Sequence, residues 1–253
     1  MPAVILARFV LLEARRSGLP WLIVASLAAG LGLAAFLSQV AVTESVSLQT
    51  AIVAAFLRAC AVFLVAVHVA SSTQREIQDK GLELMLSLPL ARSTHYLGRL
   101  AGHACGGAVV AACFALPLAY WAPPPAVALW GLSLAIEAAL VAAAALFFAM
   151  ALAQLVAAIA SVAGLYLLAR SITAIQAIAS GPLAEESLLG RLARWSVDAV
   201  ALLLPRLDAV TRTEWLLYGI PAPAQYAQAL GAVALYALLL VAAGLFDFHR
   251  RNL

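Results

Sequence analysis

Residues Thr73 to Arg99 read TQREIQDKGLELMLSLPLARSTHYLGR and form a polar segment inside an otherwise apolar sequence. Apolar stretches long enough to cross a bilayer lie on both sides of it. Such a stretch needs about 20 residues. We therefore expect this segment to connect two transmembrane helices. Only a mixed polar loop near the C-terminus is longer.

The residues of this segment predict a short amphipathic helix. Thr73 and Glu76 have the spacing of a capping box, in which two side chains satisfy N–H groups at a helix start. Glu76 and Lys80 have the spacing of a helical ion pair, and Pro89 would end the helix because it has no N–H. The helix is either a solvated connector on the lipid surface or a docking helix for a soluble partner. Its apolar face would comprise Ile77, Gly81, Leu84, Met85 and Leu88, and its polar face Arg75, Gln78, Asp79 and Glu83.

The composition indicates an all-α membrane protein. Of the 253 residues, 65% are hydrophobic and 11% are charged, whereas a soluble domain has about 25% charged residues. No soluble core of this length could bury so much apolar surface. The net charge of +3 does not suggest nucleic-acid binding. Cys60, Cys105 and Cys113 lie in apolar stretches without the spacing of a zinc site or a redox motif.

We expect a single transmembrane domain over residues 1–253, with six spans. No clear polar turn separates the fourth span from the fifth, so one long or re-entrant hairpin is the alternative there. Gly98, Gly102 and Gly106 recur every fourth residue and would let another helix approach closely. The six spans are Trp21–Gln39, Leu48–Ser71, Leu97–Trp121, Val127–Met150, Leu152–Ile178 and Tyr226–Phe246.

Two further segments lie outside the spans. Within residues 1–17, the pattern of Pro2–Arg16 predicts an amphipathic helix that lies flat on the membrane surface, or a plain basic flank to the first span. Within the outer loop, residues 180–223, we expect a helix from about Leu188 to Leu203 and a second from Asp208 to Tyr218. Both would lie in the outer interface, where tryptophan suits the headgroup layer. The outer tryptophans are Trp121, Trp130, Trp195 and Trp215.

The distribution of basic residues predicts the orientation. With both termini and the Thr73–Arg99 loop in the cytoplasm, nine Lys and Arg residues lie inside and four lie in the outer loop. This arrangement follows the positive-inside rule.

Three charged residues, Arg58, Glu137 and Arg170, fall within predicted spans. A charge in the bilayer core costs at least ~2.5–3.5 kcal/mol, so it normally faces the protein interior and finds a partner. At 1.5 Å per residue, all three lie about 10–16 Å from the outer ends of their spans and could meet. They form either a structural ion-pair cluster or the lining of a gate for an anionic or amphiphilic substrate.

The sequence contains no P-loop motif, no HExxH or GxSxG motif, and no clustered nucleophile and base. We therefore expect no catalytic, cofactor or metal site in this chain. A membrane-embedded enzyme and a non-transporting scaffold are the alternatives to a transport function.

The loop contains a run that resembles the first cytoplasmic loop of ABC-2 type permeases. The run is Glu83-Leu84-Met85-Leu86-Ser87-Leu88-Pro89, after Lys80-Gly81-Leu82 and before Arg92 and Gly98-Arg99-Leu100. It departs from the family pattern at Leu82, where Thr is usual. The C-terminus, Phe248-His249-Arg250-Arg251-Asn252-Leu253, is similar to the family's usual ending. The resemblance covers the whole chain in layout but is sharp over roughly thirty residues.

The resemblance implies an exporter subunit in the bacterial inner membrane. Residues 1–17 would be its elbow helix, and residues 73–92 would carry the coupling helix. Two chains would pair in the lipid bilayer above two separate ATPase subunits, which would hold the ATP and Mg²⁺. The chain would export a substrate or, as in permeases of nitrous-oxide-reductase maturation, transmit force to a periplasmic protein. The implied coupling residues are Arg75, Glu76, Asp79, Lys80, Gly81, Glu83, Leu84, Leu88, Pro89 and Arg92.

Overall fold

The computed structural model describes residues 2–40, 45–79, 91–152, 154–181 and 188–250. Within these ranges the chain forms helices and turns, without a strand. The α-helices are α1 (Pro2–Arg16), α2 (Leu19–Val40), α3 (Ser45–Gln78), α4 (Arg92–Ala115), α5 (Pro124–Ala151), α6 (Leu155–Ala179), α7 (Leu188–Leu203), α8 (Glu214–Tyr218) and α9 (Pro223–Arg250). Two short 3₁₀ helices cover Leu116–Tyr120 and Leu207–Ala209.

The expected all-α architecture with six spans is confirmed, since six of these helices are long and apolar enough to cross a membrane. They are α2, α3, α4 with the 3₁₀ turn that follows it, α5, α6 and α9. The ambiguous boundary between the fourth and fifth spans is a true break, because α5 ends at Ala151 and α6 begins at Leu155. Pro124 opens α5 after an extended Pro123, a position that proline favours because its missing N–H would have no partner there.

Helix α5 lies at the centre of the bundle and packs against α3, α4, α6 and α9. Its side chains from Val141 to Leu146 are all buried, and four of these six residues are alanine. Small side chains let the neighbouring helices come close on several sides. In contrast, α2 and α9 bury few residues and expose apolar side chains. We place these two helices at the lipid-facing periphery.

Helix α1 runs along the first half of α4 and in the same direction. A Cβ on Gly98 would lie 3.0 Å from the carbonyl oxygen of Ala3, and a Cβ on Gly102 would lie 2.7 Å from Cβ of Val10. Gly98 and Gly102 therefore do admit a closely packed helix, and that helix is α1. The flat position of α1 on the membrane surface stays a prediction.

The predicted helix start at Thr73 is wrong. Helix α3 continues without a break to Gln78, and Thr73 is fully buried inside it. A capping box forms only where the preceding backbone leaves the helix, and residues before Thr73 remain helical because neighbouring helices bind the side chains there. The rest of the expected coupling helix, residues 80–90, lies outside the described residues.

The outer loop also differs from its expected form. Helix α7 matches the prediction, but the expected second helix is divided into the 3₁₀ turn Leu207–Ala209 and the short α8. Between them Thr211 has a φ of 51°, which no helix interior allows. Trp215 is buried against Tyr226 and Trp130 is fully buried, so both side chains are covered by protein, and their depth relative to the headgroup layer stays a prediction. Trp195 is exposed.

Candidate functional site

Polar side chains at the end of α3 attach it to three other helices, at the end of the bundle that we call the base. The first attachment is to α1, where the Ser72 hydroxyl donates a hydrogen bond of 2.8 Å to Oε1 of Glu13. Glu13 faces inward although its helix carries arginines around it. The end of α3 is therefore fixed against α1.

Gln74 makes the second attachment. Its side-chain amide Nε2 donates to the carbonyl oxygens of Ala149, at 2.8 Å, and Leu152, at 2.7 Å. The last carbonyls of a helix lack partners within the helix and need them from elsewhere. Gln74 is buried and supplies these partners at the end of α5. It thereby joins α3 to the short connection between α5 and α6.

Glu76 makes the third attachment. Its carboxylate forms an ion pair with Arg99 on α4 and lies 4.0 Å from Nε2 of His95. Arg99 and His95 are both buried. Because the partners stand on α3 and α4, the ion pair joins the two helices that flank residues 80–90. The predicted pairing of Glu76 with Lys80 stays a prediction, since Lys80 lies outside the described residues.

The other predicted coupling residues lie at the end of α3, at the start of α4, or outside the described residues. Arg75 and Asp79 are exposed at the end of α3. Arg92 begins α4, and its Nη1 donates to the carbonyl oxygens of Phe248, at 3.3 Å, and His249, at 3.4 Å, at the end of α9. The other six lie outside the described residues: Lys80, Gly81, Glu83, Leu84, Leu88 and Pro89.

The three intramembrane charges come together in the half of the bundle away from the base. Glu137 is fully buried, and its Oε1 lies 3.3 Å from Nη1 of Arg170. Along their helices, Arg58, Glu137 and Arg170 lie about 14–20 Å from the end opposite the base. Arg170 is partly buried, with 19% of its side chain exposed.

The arginines also bind the segment Leu207–Thr211, which we call the carbonyl strap and which consists of the 3₁₀ turn Leu207–Ala209 and the two residues after it. Arg170 donates to the carbonyl oxygens of Leu207 (2.7 Å), Val210 (3.1 Å) and Thr211 (3.1 Å). Arg58 donates to the same Thr211 carbonyl at 2.9 Å. Irregular backbone at membrane depth is tolerated only where it is buried in protein or lines a cavity. The two guanidinium groups supply the partners that the buried strap needs.

This cluster ties α3, α5, α6 and the strap together. Its two positive charges face one carboxylate, and the hydrogen bonds of Arg170 are divided between Glu137 and three carbonyl groups. The second carboxylate oxygen of Glu137 is buried without a hydrogen-bond partner among the described residues. Donors that are committed to backbone carbonyls favour the structural interpretation of the cluster over a gate.

Several of these residues were missed by the sequence reasoning. Gln74 belongs to the polar segment that predicts a separate helix, Ser72 lies between that segment and the predicted second span, and nothing in the sequence indicates their partners. The carbonyl strap has no sequence signal, because backbone groups carry its contacts. Among the residues that the structure describes, no group of three or more His, Cys, Asp or Glu side chains could hold a metal ion.

Comparisons with known proteins leave the family open. No protein-family model matches the chain, and no curated protein matches it either.

Proposed function

We propose that this chain is the membrane subunit of an ABC-2 type exporter, driven by ATPase subunits on separate chains. The six apolar spans and the loop that resembles the family's first cytoplasmic loop support the proposal. The loop lies between α3 and α4, in the position that the family uses for its coupling helix. Two copies of the chain would pair above two ATPase subunits in the bacterial inner membrane.

The observation that carries the proposal is the ion pair between Glu76 and Arg99. It joins both flanks of residues 80–90 at the base of the bundle, where force from a soluble subunit would enter. Transmission of force needs a connection that does not bend at its attachment. The hydrogen bonds of Gln74 to the end of α5 extend this rigid connection into the centre of the bundle.

Movement of residues 80–90 would then be passed on to α3 and α4 together. Through Gln74 it would also reach the end of α5, where the side-chain amide binds the carbonyl groups of Ala149 and Leu152. ATP-driven closure of the ATPase pair would in this way rock the spans. The chain itself would carry no catalytic residue, and ATP and Mg²⁺ would be bound by the partner.

Affinity purification from native membranes tests the proposal. Tagged protein is isolated in mild detergent, its partners are identified by mass spectrometry, and the ATPase activity of the eluate is measured. We expect a P-loop ATPase subunit in the eluate of the wild type. Asp79→Arg with Glu83→Arg should release it, because both residues belong to the expected coupling segment and the charge of both is reversed.

The matched control is Asp198→Arg, at an exposed position of α7. This variant should retain the ATPase subunit. Recovery of the wild-type chain without any P-loop subunit would overturn the proposal and favour an enzyme or a scaffold.

A further inference from the structure

A pocket of about 380 Å³ opens at the base of the bundle, between α1, the turn that leads into α2, and the end of α3. Its volume lies within the range of about 300–1,000 Å³ that is usual for small-molecule sites. The lining consists of Phe9, Leu12, Glu13, Arg16, Ser17 and Arg75. None of these residues belongs to the charge cluster in the other half of the bundle.

The polar side of the pocket is positively charged. Arg16 and Arg75 are exposed, and neither forms an ion pair within the ranges that the structure describes. Arg75 uses one donor, Nε, for the carbonyl oxygen of Ser71 at 3.3 Å. Glu13 is the one acidic residue of the lining, and its Oε1 accepts the hydrogen bond from Ser72. Two guanidinium groups with free donors therefore face the opening, and the guanidinium fork matches the oxygens of a phosphate.

The other side of the pocket is apolar. Phe9 and Leu12 are 58% and 55% exposed. Trp21, near the start of α2, is 78% exposed. In a chain with six membrane-spanning helices, apolar side chains exposed to this degree need a covering of acyl chains or protein. Their continuity with the arginines makes the pocket amphipathic.

The turn that positions Arg16 is fixed by local hydrogen bonds. The Ser17 hydroxyl donates to the carbonyl oxygen of Ala14 at 2.8 Å and accepts from the backbone N–H of Leu19 at 3.2 Å. These bonds close the end of α1 and cap the start of α2. The backbone turn next to Arg16 is thus held in place by these bonds, which reduces the ordering cost of binding.

We propose that this pocket binds one anionic phospholipid from the leaflet at the base of the bundle. Arg16 and Arg75 would contact the phosphate, and Phe9 and Leu12 would contact the acyl chains next to it. A soluble anion would use the two arginines and leave the apolar side uncovered, whereas a lipid uses both sides. The proposal rests on the membrane-spanning fold and does not depend on the proposed transport function.

Native mass spectrometry of the purified full chain tests the proposal. The detergent-solubilised protein is titrated with dioleoylphosphatidylglycerol or dioleoylphosphatidylcholine, and the apparent dissociation constant of the first bound lipid is measured. We expect the wild type to bind the anionic lipid at least about tenfold more tightly than Arg16→Ala with Arg75→Ala. Arg16→Lys with Arg75→Lys should recover part of the difference, because charge is restored without the guanidinium fork.

The matched control, Arg191→Ala with Arg194→Ala on α7, removes the same charge far from the pocket and should bind like the wild type. Soluble glycerol phosphate in excess should not displace the lipid, since it lacks acyl chains. The proposal is overturned if the pocket variant and the control lose the same affinity, if both lipids bind equally, or if glycerol phosphate competes. A shift from dimer to monomer in the pocket variant, with unchanged lipid binding, would assign the surface to a second copy and overturn it as well.

Discussion

Arg58 on α3 and Arg170 on α6 donate hydrogen bonds to the same backbone oxygen, the carbonyl of Thr211. The residue that provides this oxygen has a left-handed backbone, with φ of 51°. Two positively charged side chains from different helices thus bind the same carbonyl group, in a segment whose backbone is strained. The position of the carbonyl strap inside the bundle depends on these arginines.

Removal of Arg170 should destabilise the protein more than removal of its acidic partner. Arg170→Met breaks the ion pair and leaves three buried carbonyl groups with fewer donors, for a cost of about 3–5 kcal/mol. Glu137→Gln keeps the arginine on the strap and should cost about 1–3 kcal/mol. Thermal unfolding in detergent measures both. Exposed Arg191→Met should change stability by less than about 0.5 kcal/mol.

If instead Glu137→Gln leaves stability and assembly unchanged and abolishes transport, the cluster is a gate. The order of the two destabilisations therefore separates the structural interpretation from the functional one.

Thr211→Gly should stabilise the protein slightly. A left-handed backbone costs a residue with a side chain about 1–2 kcal/mol, while glycine adds an entropic cost of about 0.5–1 kcal/mol. The substitution also removes a buried hydroxyl that has no hydrogen-bond partner among the described residues. Thr211→Ala removes the hydroxyl but keeps the strained backbone, so it should stabilise the protein less than Thr211→Gly. A loss above about 1 kcal/mol for the glycine variant would show that packing of the threonine outweighs the strain.

Gln74→Leu should loosen the connection between α5 and α6. The buried carbonyl group of Ala149 and the partly buried one of Leu152 lose their donor, at a cost of at most about 1–3 kcal/mol each. Hydrogen exchange of the backbone amides around residues 150–156 should become faster, because the opening of this connection is easier. Gln78→Leu, on an exposed residue of the same helix, provides the control. Equal exchange in both variants would mean that the two hydrogen bonds do not hold the connection closed.

Gly102→Ala and Gly106→Ala should differ although they lie one turn apart on the same helix. A Cβ on Gly102 would lie 2.7 Å from Cβ of Val10 and 2.9 Å from the carbonyl oxygen of Ala7, whereas a Cβ on Gly106 meets nothing closer than 3.9 Å. The first substitution must push α1 away from α4, for about 1–3 kcal/mol. The second should be neutral or favourable, since alanine is the better helix former. Limited proteolysis of α1 and thermal unfolding report the difference, and equal behaviour of the two variants would contradict the close packing.

The number and order of the spans follow from hydropathy, because a helix that crosses lipid must carry about 20 apolar residues in a row. The spacing of Gly98, Gly102 and Gly106 likewise predicts close helix packing, although the sequence does not show that α1 is the partner. The meeting of Arg58, Glu137 and Arg170 is suggested by depth alone, since buried charges must find partners.

Other structural features cannot be predicted from the sequence pattern. Thr73 and Glu76 have capping-box spacing, yet they stay inside α3 because tertiary contacts of Ser72, Gln74 and Glu76 extend that helix. Local patterns cannot report a partner that lies 59 or 75 residues away in the sequence. Trp215 is a residue type that favours the membrane interface, yet its side chain is buried and its ring contacts that of Tyr226.

The contact of Arg92 with the end of α9 has a consequence for biosynthesis. Arg92 begins the third span, but the carbonyl groups that it binds belong to Phe248 and His249, near the last residue of the chain. Phe248 also packs against His95 and Tyr96. These groups are synthesised after the five preceding spans, α2 to α6. The first turn of α4 therefore waits for these partners until the end of α9 has been made, and a nascent chain halted before Phe248 would hold this corner of the bundle open.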